Sequence, residues 1–550
     1  MSFTINHPYK IKESFKKRVA YFSMEFALHQ SFKGYSGGLG FLAGSHMRSA
    51  YELKQNIVGI GILWKYGYYD QVRKSDQGMD VLFMEKVYGF LKQTGIRFTI
   101  TINEQPVQVA AYYLPPEVFN TTPIFFLSTD LPENDYLAKS ISFKLYDSNP
   151  EARIAADILL GAGGFKLLQE LKWEPEIYHL NESHALPLAF SLYNKYKNIS
   201  EVRKRLVFTN HTPESAGNKK TDIFLLEKMS FFQGASLDNI RKNAGIDGDF
   251  LDHTLTALRV AGKTNAVSKM HQQTICSMWQ DDDKTCDIIP ITNAQNFTYW
   301  ADAEMYKALQ ENDDEALRKR KSVGKHLLFE EVGDQSGEIY DEKILTIVFA
   351  KRFAGYKRAE LLLCDMERFH RMITNKEMPV QIIWAGKPYP MDYTSIASFD
   401  RIANLCKKYS NCSILVGHEM KLSRLLKQGA DVWLNVPRLT HEASGTSGMS
   451  AAMNGAINVS IPDGWFPEFA KHGHNSFIIP AALPSQHQHE QDEADANALY
   501  SMLENEVIPM YYNNPDRWLS IIKNSMQEII PQFDSNRMAE EYYAKLYNPV

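Results

Sequence analysis

The stretch LTIVFAKRFAGYKRAELLL (residues 345–363) contains the repeating unit from which the fold can be inferred. It opens with an apolar run of strand length, and a basic loop then leads into a second apolar segment. Similar apolar runs occur at 379–386, 412–417 and 431–436, with helical patterns between them. Strands that alternate with helices predict a parallel sheet with right-handed crossovers.

The first half of the chain repeats this alternation. Apolar runs of strand length lie at 18–25, 56–64, 123–130, 175–181 and 205–211. Helical patterns cover 152–171 and 184–196, and period-two alternation over 97–114 predicts an inserted hairpin. The polar stretch SQHQHEQDEADAN (485–497) predicts a surface loop, and helical segments follow it.

The length of the chain bears on its domain organisation. With 550 residues it is too long for one compact core, so two domains are expected. The two alternating blocks join near IPITNAQN (289–296). We therefore predict an α/β fold with two Rossmann-like, doubly wound domains at 1–290 and 291–505, a cleft between them, and helices over 506–550.

Composition and charge exclude several classes of function. The formal net charge is −5 and no run of Lys and Arg stands out, which argues against a nucleic-acid partner. No run of about 18 apolar residues occurs, so no membrane partner is expected. The five cysteines show no metal-ligand spacing and are typical of reduced thiols, so no metal site is predicted. These features predict a soluble cytoplasmic protein.

Ligands of open α/β sheets bind beyond the carboxyl ends of the strands, so the strand-to-helix junctions are the candidate sites. In YSGGLGFLAG (35–44), Gly37 and Gly38 can expose backbone N–H groups to a phosphate, or they can simply form a tight turn. In the basic loop after residue 350, Arg352 and Lys357 can converge on one anion, or they can form a solvated helix start.

Two further junctions carry a histidine and carboxylates. His184 follows Glu182 at the end of a predicted strand, where a histidine is more often a structural residue than a catalytic one. In HEASGTSGMSAAMNGA (441–456), Glu442 precedes a turn of small residues, where it can hold sugar hydroxyls or cap the next helix. The four junctions together favour a sugar phosphate over a dinucleotide, because no GxGxxG with a ribose-binding acid is present.

Eight motifs in this order resemble the α-glucan (glycogen/maltodextrin) phosphorylase family: AYFSMEF, YSGGLGFLAG, HLNESHA, VFTNHTP, ITNAQN, FAKRFAGYKR, WAGKPYP and EASGTSGM. The resemblance covers about residues 18 to 480 and is strongest to the short bacterial branch. It implies a GT-B fold with an interdomain active site and C-terminal helices that cross back to the first domain. It also implies an α-1,4-glucan and a sugar phosphate as ligands, and it is compatible with a homodimer.

The resemblance also implies roles for individual residues. Gly37 and Gly38 match the glycine loop over the substrate phosphate, and His184 matches a histidine that contacts the reacting glucose. Further matches are to a sugar-hydroxyl ligand (Asn293), the phosphate clamp (Arg352 and Lys357), the glucose-binding turn (Glu442, Ser444 and Gly445) and the cofactor-phosphate site (Lys351 and Thr446).

One position departs from the family pattern. The family has a lysine after the methionine of this turn, and that lysine holds pyridoxal 5′-phosphate as a Schiff base. This chain has Ser450 there, and no lysine lies between Glu442 and Pro462. Serine cannot form an imine, so no covalent cofactor is expected from this position, although the phosphate-binding residues are retained. An engineered change of lysine to serine would also explain Ser450.

Three functions are compatible with Ser450. The first, which we predict as the function, is a retaining glucosyltransferase acting on α-1,4-glucan, whose nucleotide-sugar donor brings the second phosphate in its nucleotide moiety; the other two are alternatives. The second is a phosphorylase with non-covalent pyridoxal phosphate or another phosphate in its place. The third is a non-catalytic glucan-binding homologue, which the retention of Arg352, Lys357, His184 and Glu442 disfavours.

Four aromatic residues are candidates for stacking on sugar rings: Trp64, Tyr68, Tyr69 and Trp465. Membership of the core is the alternative for each of them.

Overall fold

The computed structural model describes residues 3–213, 217–484 and 487–548, so the first two residues of the predicted 485–497 loop lie outside the described residues. The chain divides into two compact units. Unit 1 comprises Met1–Tyr69, Phe83–Asn296 and Ser535–Val550, and unit 2 comprises Asp70–Leu82 and Phe297–Asp534. The main boundary lies after residue 296, and the helices of 515–533 belong to unit 2. The predicted cleft between the domains stays a prediction.

Unit 1 is built on a nine-stranded sheet. Its strands are β1 Val19–Ser23, β2 Ile57–Ile62, β3 Lys92–Ile102, β4 Gln105–Leu114, β5 Ile124–Ser128, β6 Ile177–Asn181, β7 Leu206–Asn210, β8 Lys263–Ala266 and β9 Asp287–Pro290. They are ordered β9-β8-β7-β6-β1-β2-β5-β4-β3. Neighbouring strands from β9 to β5 pair in parallel, whereas β4 pairs antiparallel with both β5 and β3. The strand order reverses between β1 and β6. We call the carboxyl ends of these two strands the unit 1 switch point.

The principal helices of unit 1 surround this sheet. They are α1 Gly38–Glu52, α2 Pro150–Ile158, α3 Gly164–Glu170, α4 Pro187–Tyr196, α5 Leu237–Ala244, α6 His253–Val260 and α7 Lys269–Met278. The strands β1, β2, β5, β6 and β7 are buried along their whole length, as expected of parallel strands covered on both faces.

Unit 2 is built on a six-stranded parallel sheet. Its strands are β10 Leu345–Ala350, β11 Val380–Ala385, β12 Cys412–Leu415, β13 Val432–Asn435, β14 Ile457–Ser460 and β15 Phe477–Ile478. They are ordered β12-β11-β10-β13-β14-β15, so the order reverses between β10 and β13. We call the carboxyl ends of these two strands the unit 2 switch point.

The principal helices of unit 2 are α8 Ala303–Glu311, α9 Asp314–Ser336, α10 Met366–Ile373, α11 Tyr393–Cys406, α12 Met420–Gly429, α13 Ser447–Ala452, α14 Gln488–Met502 and α15 Pro515–Phe533. Asp70–Arg73 and Met79–Leu82 form a two-stranded antiparallel ribbon that also belongs to this unit.

A C-terminal segment returns to unit 1. The helix α16 (Ser535–Glu541) packs against α1, and Met538, Tyr542, Tyr543, Leu546 and Tyr547 lie in one hydrophobic core with residues of β1 and α1. The hydroxyl of Tyr547 lies 2.6 Å from His179 Nδ1 on β6. The C-terminal residues are therefore part of the core that supports the unit 1 switch point.

The predicted α/β class and the predicted strands are confirmed, including the hairpin, which the structure places at 92–114. The predicted loop at 485–497 is wrong from residue 488 onward, because α14 occupies it. The loop was predicted from the polar residues of this stretch, but two of them, Gln491 and Asp495, are buried. No helix within the described ranges combines the length and the apolar character needed to cross a bilayer.

Candidate functional site

The basic loop after β10 divides into exposed and buried cations. Arg352 is exposed, whereas Arg358 is buried and bound by Asp492, by Asp495 and by the carbonyl oxygens of Val436 and Pro437. Arg358 therefore ties this loop to α14, while Arg352 remains accessible at the unit 2 switch point.

Lys357 and Glu442 come from the loops that follow the two strands of this switch point. The Lys357 ammonium forms a buried ion pair with Oε2 of Glu442, which lies in the loop after β13. Burial alone would lower the pKa of Lys357, but the adjacent carboxylate outweighs it and raises that pKa. The structure thus brings together two residues predicted from separate motifs and keeps the lysine cationic.

The turn that carries Glu442 is held by Asp463. One carboxylate oxygen of Asp463 accepts the Glu442 N–H at 2.9 Å, and the other accepts the Gly464 N–H at 2.9 Å. Burial, reinforced by the charge of Glu442, raises the pKa of Asp463 to about 7. Gly464 has a φ of +61°, and a Cβ there would lie 2.3 Å from Ser444 O, so only glycine fits.

Ser444, Gly445 and Thr446 lie in this turn, directly before α13. The hydroxyl of Ser444 is buried and, within the described part of the chain, has no hydrogen-bond partner. Gly445 adopts a φ of +83°, which favours glycine. The turn therefore presents a polar atom that a ligand could satisfy.

Lys351 is the buried cation closest to α13 in this loop. Its Nζ donates to Ser447 Oγ at 3.0 Å and lies 5.7 Å from the centroid of the Trp433 ring. Burial and then repulsion by Lys357 lower the pKa of Lys351 to about 7. An anion bound next to Lys351 would favour its protonated form.

Ser450 is fully buried on α13. Its hydroxyl donates to Ser447 O at 3.3 Å, within the same helix. Its carbonyl accepts from the amide of Asn454 at 2.7 Å, and that amide also donates to Trp300 O at 2.9 Å. Ser450 and Trp300 are therefore linked through one side chain.

At the unit 1 switch point, Glu25 follows β1 and organises the glycine loop. Its carboxylate accepts from the N–H groups of Ser36 at 2.7 Å and Gly37 at 3.2 Å, and from the Tyr146 hydroxyl at 2.6 Å. Glu25 therefore accepts the Gly37 N–H, and the contact between this N–H and a substrate phosphate stays a prediction. Space beside Gly37 and Gly38 is open, since a Cβ at either position would meet no atom within 4 Å.

Glu182 and two histidines lie at the neighbouring strand ends. Glu182 accepts from the His211 N–H at 2.9 Å, and Nε2 of His211 lies 2.7 Å from Asn181 Oδ1. Burial lowers the pKa of both His184 and His211 to about 3, so both imidazoles are neutral at pH 7. Nδ1 of His184 is buried without a hydrogen-bond partner among the described residues.

Asn293 lies after β9, and its N–H donates to Val267 O at 3.0 Å. Its side-chain Oδ1 is likewise buried with no partner within the described ranges. It lies beyond the carboxyl end of an outer strand of the unit 1 sheet, in line with its predicted contact to a sugar.

Sequence reasoning missed Glu25, His211 and Asp463 as parts of these sites. Glu25 and His211 lie in the quoted motifs AYFSMEF and VFTNHTP, directly after two strands, and that placement was the available signal. Asp463 gave no signal beyond an Asp-Gly pair typical of turns.

The predicted sugar-stacking role of the aromatic residues is wrong for Trp64 and Trp465. Trp64 is 2% exposed and donates to Met24 O, and Trp465 is 1% exposed and packs on Phe469 and Phe533. Tyr68 and Tyr69 are also buried.

Comparisons with known proteins place these motifs in a family. Residues 290–508 match the sequence model of the Phosphorylase family, described as carbohydrate phosphorylase. A maltodextrin phosphorylase of Thermococcus litoralis is 32% identical over 99% of this chain and 72% of its own length. A glycogen phosphorylase of Aquifex aeolicus is 29% identical over 99% of this chain and 88% of its own. A protein of Methanocaldococcus jannaschii described as uncharacterized is 44% identical over 96% of this chain and all of its own.

Proposed function

The chain belongs to the carbohydrate phosphorylase family, and on that premise we propose that it catalyses retaining glucosyl transfer between an α-1,4-glucan and inorganic phosphate. The observation that carries the proposal is the pairing of Lys357 with Glu442 at the unit 2 switch point, beside the exposed Arg352. A phosphate needs cations, and a glucose needs hydrogen-bond acceptors for its hydroxyls. This switch point supplies both.

We assign the phosphate to Arg352 and Lys357. In phosphorolysis the glycosidic C1–O4 bond breaks, a phosphate oxygen bonds to C1, and a proton passes to the O4 that leaves. Preorganised cations stabilise the charge that is redistributed onto phosphate oxygens in the transition state. Glu442 keeps Lys357 protonated, so the cation is present before the phosphate arrives.

We assign glucose to the turn around Ser444 in unit 2, and we infer that the unit 1 switch point, taken by itself, is suited to binding glucan. The Ser444 hydroxyl and the carboxylate of Glu442 are suited to fixed sugar hydroxyls. Neutral His184 and His211 can each donate and accept a hydrogen bond without repelling a neighbouring cation.

The family's pyridoxal phosphate fits the chemistry of unit 2. Lys351 would hold its phosphate, and the buried indole Nε1 of Trp433, which has no hydrogen-bond partner in the described part of the chain, lies beside that lysine. When bound, the cofactor supplies a second phosphate that can assist proton transfer to or from the substrate phosphate.

Release of glucose 1-phosphate from maltoheptaose and inorganic phosphate tests this proposal. We expect activity in the wild-type chain that depends on added pyridoxal phosphate. No release from the pyridoxal-phosphate-loaded chain would contradict the proposed reaction.

A nucleotide-sugar donor is the second candidate, because the small side chain of Ser450 leaves the family's covalent anchor absent. Incubation of the glucan with UDP-, ADP-, GDP- or CDP-glucose separates the two candidates. Chain elongation from one of these donors, without phosphorolysis, would favour the nucleotide sugar. Glucan binding without any transfer would leave a binding protein.

A further inference from the structure

A second buried lysine lies close to the position where the family's covalent anchor is missing. Lys427 is on α12, which packs against α13, the helix that carries Ser450. The lysine is 1% exposed. A lysine is almost never fully buried without a specific reason, so its position needs explanation.

The aromatic ring under Lys427 connects it to Ser450. Nζ of Lys427 lies 3.6 Å from the centroid of the Trp300 ring. The Trp300 carbonyl is bound by the Asn454 amide, and this amide also binds the Ser450 carbonyl. The amine of Lys427 and the backbone of residue 450 are therefore close to the same tryptophan.

Lys427 also lies in the electrostatic field of Lys351. Burial and then repulsion by Lys351 lower the pKa of Lys427 well below its usual range. Burial, and then the nearby Lys427, Lys387 and Lys351, lower the pKa of His418 to about 3, so this imidazole is close to the same group. A buried phosphate among these groups would be strongly attracted, and a neutral lysine amine is a nucleophile.

We propose that Nζ of Lys427, packed on Trp300 next to the helix of Ser450, is the amine that binds the aldehyde of pyridoxal phosphate in place of a side chain at position 450. Lys351 would hold the phosphate of the same molecule. The inference rests on the proposed function, since that function calls for a phosphate cofactor at the unit 2 switch point.

The bond-forming step is balanced without any further reagent. The lone pair of the neutral Lys427 amine adds to the aldehyde carbon. Both hydrogens of the amine leave with the carbonyl oxygen as water, and a C=N bond replaces the C=O bond. No oxidant or reductant takes part. The Trp300 ring packs against this amine, with Nζ 3.6 Å from the ring centroid.

Borohydride trapping tests the assignment directly. The full-length chain is incubated with pyridoxal phosphate, reduced, digested and mapped by mass spectrometry. Borohydride adds hydride to the C=N carbon and makes the link permanent. We expect the pyridoxyl group on Lys427. A label on Lys351 or another lysine, or no label at all, would overturn the proposal.

Three variants separate the chemistry from the structural role of this lysine. Lys427→Arg keeps a long basic side chain on Trp300 but cannot form an imine, and Lys427→Met removes the amine; both should lose the label completely. Lys421→Arg, at an exposed position of the same helix, should label like the wild type. In the double variant Lys427→Met/Ser450→Lys, we expect the label at residue 450. A folded Lys427→Arg protein that still labels fully would refute the proposal.

Glucose 1-phosphate release, measured on the same samples, distinguishes the two proposals. A label on Lys427 without phosphorolysis would contradict the proposed function and support the anchor. Phosphorolysis without a label on Lys427 would support the function and overturn the anchor.

Discussion

The two switch points occupy equivalent places in their sheets, but they differ in charge. At the unit 1 switch point, Glu25 binds the glycine loop, and Glu182 lies with the neutral imidazoles of His184 and His211 at the neighbouring strand ends. At the unit 2 switch point, the cations Arg352, Lys357 and Lys351 belong to one loop, and Glu442 pairs with Lys357. The difference teaches that sheet topology determines where a ligand can bind, whereas the side chains at the strand ends determine which ligand binds there.

The largest effects are expected when either arginine of the basic loop is replaced, and the two replacements should affect different properties. Arg352→Ala should lower the rate of glucosyl transfer by about 10²–10³ with little change in stability, because it removes one preorganised cation from an exposed position. Arg358→Ala should instead cost about 3–5 kcal/mol in the free energy of unfolding, because the fully buried Asp495 loses its partner. Urea unfolding and initial rates measure the two effects. Full activity in a folded Arg352→Ala protein would move the anion site away from this loop.

The Lys357–Glu442 pair should show energetic coupling. We compare Lys357→Met, Glu442→Gln and the double variant by chemical denaturation. Each single change leaves one buried partner unmatched, so the double variant should be more stable than the sum of the singles predicts. The expected coupling is about 0.5–3 kcal/mol. Strict additivity would show that the two residues do not pair in solution.

Acid should destabilise unit 1 before unit 2. Burial lowers the pKa of His46, His184 and His211 to about 3 and that of His271 to about 4, whereas unit 2 contributes His418 at about 3. Below a pH of about 6.5, these histidines become protonated in the unfolded chain but stay neutral in the folded protein. The free energy of unfolding should then fall by up to about 1.4 kcal/mol per pH unit for each histidine.

Hydrogen exchange at pH 7 and pH 5, resolved by peptide, measures this difference. The exchange rate of unit 1 amides should rise first as the pH falls. His211→Gln should make the free energy of unfolding less dependent on pH, because it removes one of the buried imidazoles. Earlier opening of unit 2 at pH 5 would contradict the contrast drawn between the two switch points.

The smallest effect is expected at Gly37. Gly37→Ala should change stability by less than about 0.5 kcal/mol, because its φ of −173° suits any residue and the space beside it is open. Gly44→Ala is the matched comparison on the same segment, since a Cβ there would lie 2.0 Å from Ala27 O. Thermal unfolding of the two variants should therefore differ clearly. Weaker glucan binding by Gly37→Ala would show that the open space receives the ligand.

Much of the architecture could be predicted because a buried parallel strand is a continuous apolar run. The residues directly after such runs, including Lys351, Glu182 and His184, were predicted as site candidates for the same reason. Asp463 and Lys427 could not be found in this way. Each is placed at its site by packing between segments that are distant in sequence. In addition, a lysine within a helix usually lies on the solvent-exposed face. The burial of α14 was missed because Arg358, more than a hundred residues earlier, supplies the partner of Asp495.

The return of Met538–Tyr547 to the core of unit 1 has a consequence for synthesis of the protein. A ribosome delivers β1 and α1 hundreds of residues before the tyrosines that complete their core. Unit 2 lies between these segments in the chain and can therefore be finished first. Until residue 547 has left the ribosome, unit 1 exposes apolar surface that chaperones recognise. A product of translation that stops before residue 535 should thus keep this apolar surface exposed and be degraded faster than the longer chain.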